Sequence, residues 1–258
     1  MYLRHPLKPD KELSLLTHLG RYTLLMWKVF SIPQKFSVFV RQVLREMDSL
    51  GIGSLGLISI ISVFMGGVIT IQAAYNFTLP FIPLYAIGLG TRESIILEFS
   101  PTIVSLILAG KVGSNIAGEI GTMRISEQID ALEIMGVNSA SHLILPKIVA
   151  AMLINPFLII ISMFLGIFGG YFMGVLADAC SSYEYIFGIQ SFFIPFNIVY
   201  SLTKTVVFAF IITSVSSYHG YYTHGGALEV GQSSTRSVVY NSVIILIVNL
   251  ILTKLMLL

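Results

Sequence analysis

Charged residues are scarce in this chain. Of its 258 residues only 11% are Asp, Glu, Lys or Arg, whereas 55% are hydrophobic, and the mean hydropathy is +0.85. A soluble domain usually carries about 25% charged residues. The chain therefore lacks the polar surface that water requires, and we expect lipid to be its main solvent. The net charge of +2 does not indicate a nucleic-acid partner.

Cysteine is also nearly absent. Cys180 is the one cysteine, which excludes an internal disulfide framework and a cysteine-based metal site. His219 and His224 are separated by GYYT, with no carboxylate or cysteine between them, so we do not expect a metal site there. The sequence also contains no Ser/His/Asp or HExxH arrangement, and we expect no catalytic residue in this chain.

Two glycine-containing strings do not fit a nucleotide site. Before Gly110 and Lys111, Ser105 stands at the position of the first P-loop glycine, and Val112 follows the lysine. The string at 51–56, GIGSLG, matches GxGxxG, but a dinucleotide fingerprint must follow a strand and open a soluble βαβ unit. Here it opens an apolar segment, so we interpret its glycines as points of close helix contact.

Five long apolar segments are present instead. A helix needs about 20 residues to cross a hydrocarbon core of about 30 Å. The segments predict an all-α integral membrane protein with one domain over 1–258. The predicted spans are at about 51–75, 94–116, 148–177, 194–218 and 237–255. Residues 11–50 are the expected interfacial, amphipathic segment. Residues 11–30 mix basic and apolar residues at helical spacing, which predicts an interfacial helix; an ordinary helix packed on the spans is the alternative. Pro33 breaks the segment, and a second charged amphipathic piece at 36–50 leads to the first span.

Basic residues are concentrated near the N-terminus. Eight of the fifteen Lys and Arg lie in the first fifty residues: Arg4, Lys8, Lys11, Arg21, Lys28, Lys35, Arg41 and Arg45. By the positive-inside rule the N-terminus is cytoplasmic, and five spans then place the C-terminus on the periplasmic side. The loops at 119–136 and 219–236 become cytoplasmic. We expect no removable signal peptide, because no short apolar core follows the polar start.

One carboxylate lies inside an apolar segment. Glu98 is near the start of the second span, just before Pro101, where a charge facing lipid would cost about 3 kcal/mol. We expect it to line a pathway or to pair with a cation; a structural role near the membrane surface, bonded to a loop, is the alternative. Lys204 in the fourth span either pairs with Glu98 or extends to the interface, and both options stay open at this point.

Residues 119–136 are expected to form a short amphipathic helix between the second and third spans. Ser126 is the expected N-cap and Gly136 the expected stop. Its apolar face would be Ile125, Ile129 and Leu132, and its acidic face Glu127, Asp130 and Glu133. A solvated loop helix is the alternative, but the position between two spans favours a helix that docks on a partner.

Small residues recur in the third span. Gly166, Gly170 and Gly174 lie four residues apart, a spacing typical of close contact between membrane helices. We therefore predict helix packing there, within the chain or across a dimer.

Several motifs follow one another from the second span onward. Glu98 and Pro101 come first. The strings are AGKVGS at 109–114, EIGTMR at 119–124, SEQ at 126–128, ALEIM at 131–135 and, near the end, TRSVV at 235–239. Together they resemble the MlaE family of ABC transporter permeases, also called YrbE-type permeases. The likeness extends more loosely over nearly the whole chain.

The resemblance implies a non-catalytic, inner-membrane permease that works as a homodimer. A separate cytoplasmic ABC ATPase would bind ATP and Mg²⁺, often together with a STAS-domain protein, so this chain itself would hold no cofactor. MCE-domain proteins would form a ring on the outer side. The cargo would be a glycerophospholipid or a related lipid, moved between the inner and outer membranes.

The resemblance also implies two sets of site residues. The linker helix would be a coupling helix seated in the ATPase. Its expected contacts are Glu119, Arg124, Glu127, Asp130 and Glu133. A lipid cavity would lie between the two copies, lined by the first two spans. Its expected wall is Ile69, Gln72, Asn76, Phe77, Glu98 and Phe99. Leu97 stands where relatives often have Arg, which argues against a charged headgroup clamp formed with Glu98.

Two other functions remain as alternatives. One is an ion- or proton-coupled secondary transporter that uses Glu98 and Lys204 as a relay. The five spans show no obvious repeat in two halves, which weakens that alternative. The other is a non-transporting membrane anchor for a cytoplasmic complex.

Overall fold

The computed structural model describes residues 11–31, 36–77 and 83–257, and these ranges are almost entirely helical. Within these ranges, five helical stretches are long and apolar enough to cross a membrane. The predicted all-α membrane protein with five spans is therefore confirmed. Arg4, Lys8 and Lys35 of the basic N-terminal group lie outside the described residues.

Nine helices are found in the described ranges. Their bounds are α1 Lys11–Ser31, α2 Phe36–Asn76, α3 Tyr85–Ile125, α4 Gln128–Ile134, α5 Ser139–Leu143, α6 Leu145–Leu176, α7 Ser182–Gln190, α8 Phe196–Tyr221 and α9 Ala227–Leu257. The spans are α2, α3, α5 with α6, α8 and α9.

α2 is a single helix of 41 residues, so it joins residues 36–50 to the first span. No proline lies between its ends, and a glycine inside a helix costs only about 1 kcal/mol. α1 is the separate candidate for an interfacial helix. Its Leu25 and Val29 are buried against the rest of the chain, whereas Leu24 and Trp27 are exposed. Exposed apolar side chains on a basic helix suit a membrane surface, and the interfacial position stays a prediction.

α2 and α6 pack with their backbones in contact. A Cβ atom at Gly66 would collide with the backbone of Gly166, and one at Gly170 or Gly174 would collide with Thr70. Small residues allow such close approach in membrane proteins. The predicted helix contact of the glycine repeat is confirmed, and the partner helix is α2 of the same chain.

Hydroxyl groups join three spans in the core. Ser62 Oγ donates to Ser162 Oγ at 2.9 Å, and Ser100 Oγ lies 3.1 Å from the same atom. These residues belong to α2, α6 and α3 and are fully buried. Hydrogen bonds of this kind stabilise contacts between membrane helices, because burial of apolar side chains contributes little to helix association in lipid.

The short helix α7 packs on the start of α3. It begins with a capping box, in which Ser181 Oγ accepts from the Glu184 amide at 3.2 Å and Glu184 Oε2 accepts from the Ser181 amide at 2.9 Å. The Ser181 hydroxyl also donates to Glu184 Oε2 at 2.7 Å, and this bond, together with that from the Ser181 amide, holds the pKa of Glu184 below its usual range. Burial raises the pKa of Tyr185 to about 12, and its hydroxyl donates to the Ile167 carbonyl at 3.1 Å.

The loop after α7 is tied to α3 by a buried arginine. Arg92 donates to the Ser191 carbonyl at 2.8 Å and to the Phe192 carbonyl at 3.2 Å, and it also pairs with Glu93. Phe192 has φ 51°, which is unfavourable for a bulky side chain. Asn197 at the start of α8 donates to Glu93 at 2.8 Å, so this network fixes the entry to the fourth span.

Candidate functional site

An ion pair joins the second and fourth spans. Lys204 Nζ lies 2.8 Å from Glu98 Oε1. The lysine side chain is fully buried, whereas that of Glu98 is 48% exposed. A buried ammonium is stable only with a charged or strongly polar partner. Of the options left open by the sequence, the structure shows that Lys204 pairs with Glu98, and that Glu98 bonds to a span rather than to a loop.

A second acceptor lies near this lysine. Pro101 stands in a π-helical segment, where each carbonyl pairs with the amide five positions on, and it has no N–H to donate to the carbonyl of Leu97 four residues earlier. Lys204 Nζ lies 3.4 Å from that oxygen. The helix is π-helical from Ile95 to Ile103, and such segments are frequent at functional sites.

Neutral polar groups complete the cluster. Thr102 Oγ1 and Asn249 Nδ2 donate to Glu98 Oε2 at 3.0 and 3.2 Å. Lys204 Nζ lies 4.3 Å from the centre of the Tyr200 ring. Sequence reasoning missed Asn249 and Tyr200, although Asn249 stands out as an amide within the apolar run of the last span.

A separate cavity of about 310 Å³ lies where α2 ends and α3 begins. Its lining is Ile69, Gln72, Ala73, Asn76, Phe77, Gly90 and Ser94. Four of the six residues expected in a lipid cavity are thus brought together. Glu98 lies in the ion-pair cluster instead, and the Phe99 side chain is buried in the core. Whether any of the six contacts lipid stays a prediction.

The linker between the second and third spans is divided into two pieces. α3 continues to Ile125, the backbone then turns at Glu127 with φ 60°, and α4 begins at Gln128. Glu119 and Arg124 therefore belong to the end of the second span helix. The predicted N-cap Ser126 is wrong, because its hydroxyl donates back to the Thr122 carbonyl at 2.8 Å and closes α3.

The predicted stop of the linker helix is confirmed. Gly136 has φ +77°, its amide donates to the Glu133 carbonyl, and the Val137 amide donates to the Leu132 carbonyl, both at 3.0 Å. This is a Schellman motif, which favours glycine at the left-handed position.

The linker's acidic residues have different surroundings. Asp130 pairs with Arg124 at 2.8 Å. Glu133 Oε1 accepts from Ser139 Oγ at 2.9 Å and from Tyr221 OH at 3.0 Å, which ties α4 to α5 and α8. Glu127 is exposed.

The apolar residues of α4 face two directions. Ile129 is fully buried and anchors the helix. Ile134 and Met135 are 87% and 68% exposed. α4 is therefore anchored on one side and presents an apolar surface on the other, which we call the docking segment, residues 127–137.

Glu119 takes part in a second ion cluster. Lys147 Nζ lies 2.7 Å from Glu119 Oε2 and 2.8 Å from Glu46 Oε1. Within the described ranges no three His, Cys, Asp or Glu side chains form a group that could hold a metal ion.

The fold combines five spans, a polar cluster inside them and an exposed segment between two of them. This combination is typical of the membrane subunit of a transporter. A comparison with known families gives the class. The profile described as "Permease MlaE" matches residues 43–255, and the chain belongs to this family of ABC transporter permeases.

Curated relatives are similar in sequence to this chain along most of their length. The chain is 33% identical to a "Probable ABC transporter permease protein" of Rickettsia bellii, over 95% of this chain and 94% of the relative. It is 30% identical to the "Intermembrane phospholipid transport system permease protein MlaE" of Haemophilus influenzae, over 82% and 81%. It is 32% identical to "Protein TRIGALACTOSYLDIACYLGLYCEROL 1, chloroplastic" of Arabidopsis thaliana, over 89% and 68%.

Proposed function

We propose that this chain is the permease of a transporter that moves glycerophospholipid between the inner and outer membranes, powered by ATP hydrolysis in a separate cytoplasmic ATPase. The observation that carries the proposal is the docking segment. Ile134 and Met135 are exposed on a helix that Ile129 and the Asp130 ion pair hold in place. Exposed apolar side chains rimmed by polar groups mark a protein interaction site. The relative from Haemophilus, a phospholipid transport permease by name, supports the cargo.

The docking segment is connected to the spans by several bonds. Asp130 links α4 to the end of α3, and Glu133 links it to Tyr221 at the end of α8. Movement of a bound ATPase would therefore reach two spans directly. ATP and Mg²⁺ belong to the ATPase, and ATP binding biases the permease between two conformations.

The lipid pathway lies near the outer half of the spans. The cavity beside Gln72 and Asn76 offers amide groups to a headgroup, with Ile69 and Phe77 as apolar wall. Its volume of about 310 Å³ is small for a whole lipid, so the remainder of the pathway is formed with a second copy.

We infer a homodimer from the exposed face of α9. Only 11% of its most apolar stretch is buried within the chain, although it also carries Asn249 of the polar cluster. A second copy on this face would shield the exposed side of Glu98. An MCE-domain ring on the periplasmic side and a STAS-domain protein on the cytoplasmic side complete the proposed assembly, in an inner membrane with the N-terminus cytoplasmic.

The test is purification in mild detergent from native membranes, followed by mass spectrometry of the co-purifying proteins and reconstitution of the complex. We expect an ATPase and an MCE protein, and ATP-dependent transfer of fluorescent phospholipid between donor and acceptor vesicles. A chain that arrives alone after cross-linking, or a complex that hydrolyses ATP without moving phospholipid, would overturn the proposal.

One observation favours a second function, ion-coupled transport. A charged pair within the spans, such as Glu98 and Lys204, is a common element of proton relays. This function predicts transport driven by a proton gradient in the absence of ATP, and abolished by a protonophore.

A further inference from the structure

Lys147 is a buried cation shared by two carboxylates from two other helices. Its side chain, near the start of α6, is only 4% exposed. It bonds to Glu46 in the cytoplasmic part of α2 and to Glu119 near the end of α3. A buried ammonium without a partner carries a large desolvation penalty, so at least one carboxylate must stay with it.

The two carboxylates are not equivalent. The Glu46 side chain is 21% exposed, whereas that of Glu119 is 48% exposed. If α3 moved away, Glu119 would be solvated at little cost while Glu46 continued to neutralise Lys147. The Lys147–Glu119 contact is therefore the one that can open, and the Lys147–Glu46 contact is the one that holds α6 to α2.

A cleft of about 740 Å³ separates the same helices. Ser49 and Ser54 of α2 line one wall, and Asn115, Glu119 and Thr122 of α3 line the other. Away from this cleft, α2 packs on α6, and the cytoplasmic end of α3 packs on α8 and α9. Lys111 also crosses the cleft, donating to the carbonyl of Gly53. Lys147 thus bridges two groups of helices beside the cleft that separates them, through its bonds to Glu46 and Glu119.

We propose that Lys147 is a positioning residue for energy coupling, which transmits movement of the ATPase-docked end of α3 to α2 by making and releasing its bond to Glu119. This inference rests on the proposed ATP-driven function. α2 carries Ile69, Gln72 and Asn76 at its outer end, so the bridge connects the docking segment to the wall of the outer cavity.

A distance measurement in the complete complex tests the movement. Spin labels are placed at Ser49→Cys and Asn115→Cys, which face each other across the cleft, in a Cys180→Ala background that removes the native cysteine. We expect the mean distance between the labels to change by about 2 Å or more between the nucleotide-free and the ATP-bound, hydrolysis-arrested states. Equal distributions in both states would overturn the proposal.

Substitutions test the bridge itself. Glu119→Gln keeps Lys147 paired with Glu46, so this variant is expected to fold as the wild type does. We expect the phospholipid transferred per ATP hydrolysed to fall at least about fivefold, the lower end of allosteric coupling. Lys147→Met should lower the phospholipid transferred per ATP hydrolysed. Lys147→Arg keeps the cation and should retain most of the wild-type value. Lys254→Met, at an exposed lysine near the end of α9, is the matched control and should leave the ratio unchanged.

The outcomes separate the two proposals. A merely structural role would lower the yield of all Lys147 variants and leave the transfer ratio of folded Glu119→Gln unchanged, which would overturn the inference. If the wild-type complex moved no phospholipid at all, the proposed function would fail. The label distances would still decide whether ATP moves α3 relative to α2.

Discussion

The ammonium of Lys204 lies 2.8 Å from the carboxylate of Glu98, although 106 positions separate them in the chain. The pair joins the second and fourth spans, and its two members differ in exposure, since Lys204 is fully buried and Glu98 is about half exposed. Removing one member should therefore have a different effect from removing the other.

Glu98→Gln should destabilise the protein more than Lys204→Met. The first change leaves a buried cation without its counter-charge, which costs about 3–5 kcal/mol in the free energy of unfolding. The second leaves a half-exposed carboxylate that Thr102 and Asn249 still hydrogen-bond. Thermal unfolding in detergent measures both, and the double variant should recover much of the loss. Equal effects of the two single variants would contradict the buried state of Lys204.

Gly66→Ala should disrupt the packing of α2 on α6. A Cβ at this position meets the backbone of Gly166, which has no flexible atoms that could yield. We expect a loss of about 3 kcal/mol in the free energy of unfolding, at the upper end of overpacking costs. Gly56→Ala, in the same helix but facing open space, is the control and should gain up to about 1 kcal/mol from helix propensity. A similar response at both positions would be inconsistent with the contact.

Ile134→Ser should weaken binding of the ATPase while leaving the permease folded. Its side chain is 87% exposed, so the substitution removes almost no internal packing. Burial of such a side chain at an interface is commonly worth 1–2 kcal/mol, which corresponds to a roughly tenfold higher Kd. Binding to the purified ATPase measures the effect. Ile186→Ser, an exposed apolar position in α7, is the control; a tenfold loss there as well would point to a general effect.

Glu127→Gly should distinguish the effect of backbone strain at this position from the effect of a contact with the ATPase. The left-handed conformation at Glu127, with φ 60°, costs about 1 kcal/mol for a residue with a Cβ, and glycine removes that cost. We therefore expect a small gain in stability together with lower lipid-stimulated ATPase activity, because the exposed carboxylate is lost. Unchanged ATPase activity would show that Glu127 does not contact the ATPase.

The order of α7 should depend on pH. Hydrogen bonds from Ser181 lower the pKa of Glu184 in the folded protein, so the ionised carboxylate stabilises the helix at neutral pH and this contribution is lost as the pH falls through the folded pKa. Hydrogen exchange of residues 182–190, corrected for intrinsic rates, should show less protection in acid than at neutral pH. Ser181→Ala should lower protection at neutral pH and flatten this dependence.

Hydropathy alone was enough to predict the five spans, because lipid requires long apolar helices and leaves few alternatives. The stop at Gly136 followed from local backbone chemistry in the same way. The start of α4 did not, because the left-handed turn at Glu127 replaces a side-chain cap and Ser126 bonds backward to Thr122.

The polar cluster around Glu98 and Lys204 could not be predicted in full from the sequence. It depends on packing between spans, which the periodicity of apolar residues does not indicate. The sequence left open whether Lys204 pairs with Glu98 or extends to the interface, and only the approach of α8 to α3 shows the pair. The separation of Phe99 from the cavity residues also depends on packing, since its side chain is buried in the hydrophobic core.

The unbroken length of α2 has a mechanical consequence. At 1.5 Å per residue its 41 residues measure about 60 Å, roughly twice a hydrocarbon core of about 30 Å. Its first turns therefore extend well beyond the bilayer, and the helix acts as a lever with two arms. A tilt of about 10° around its middle would swing each end by about 5 Å in opposite directions, given arms of about 30 Å. A push of about 5 Å at one end of the helix would thereby become an equal and opposite displacement at the other end.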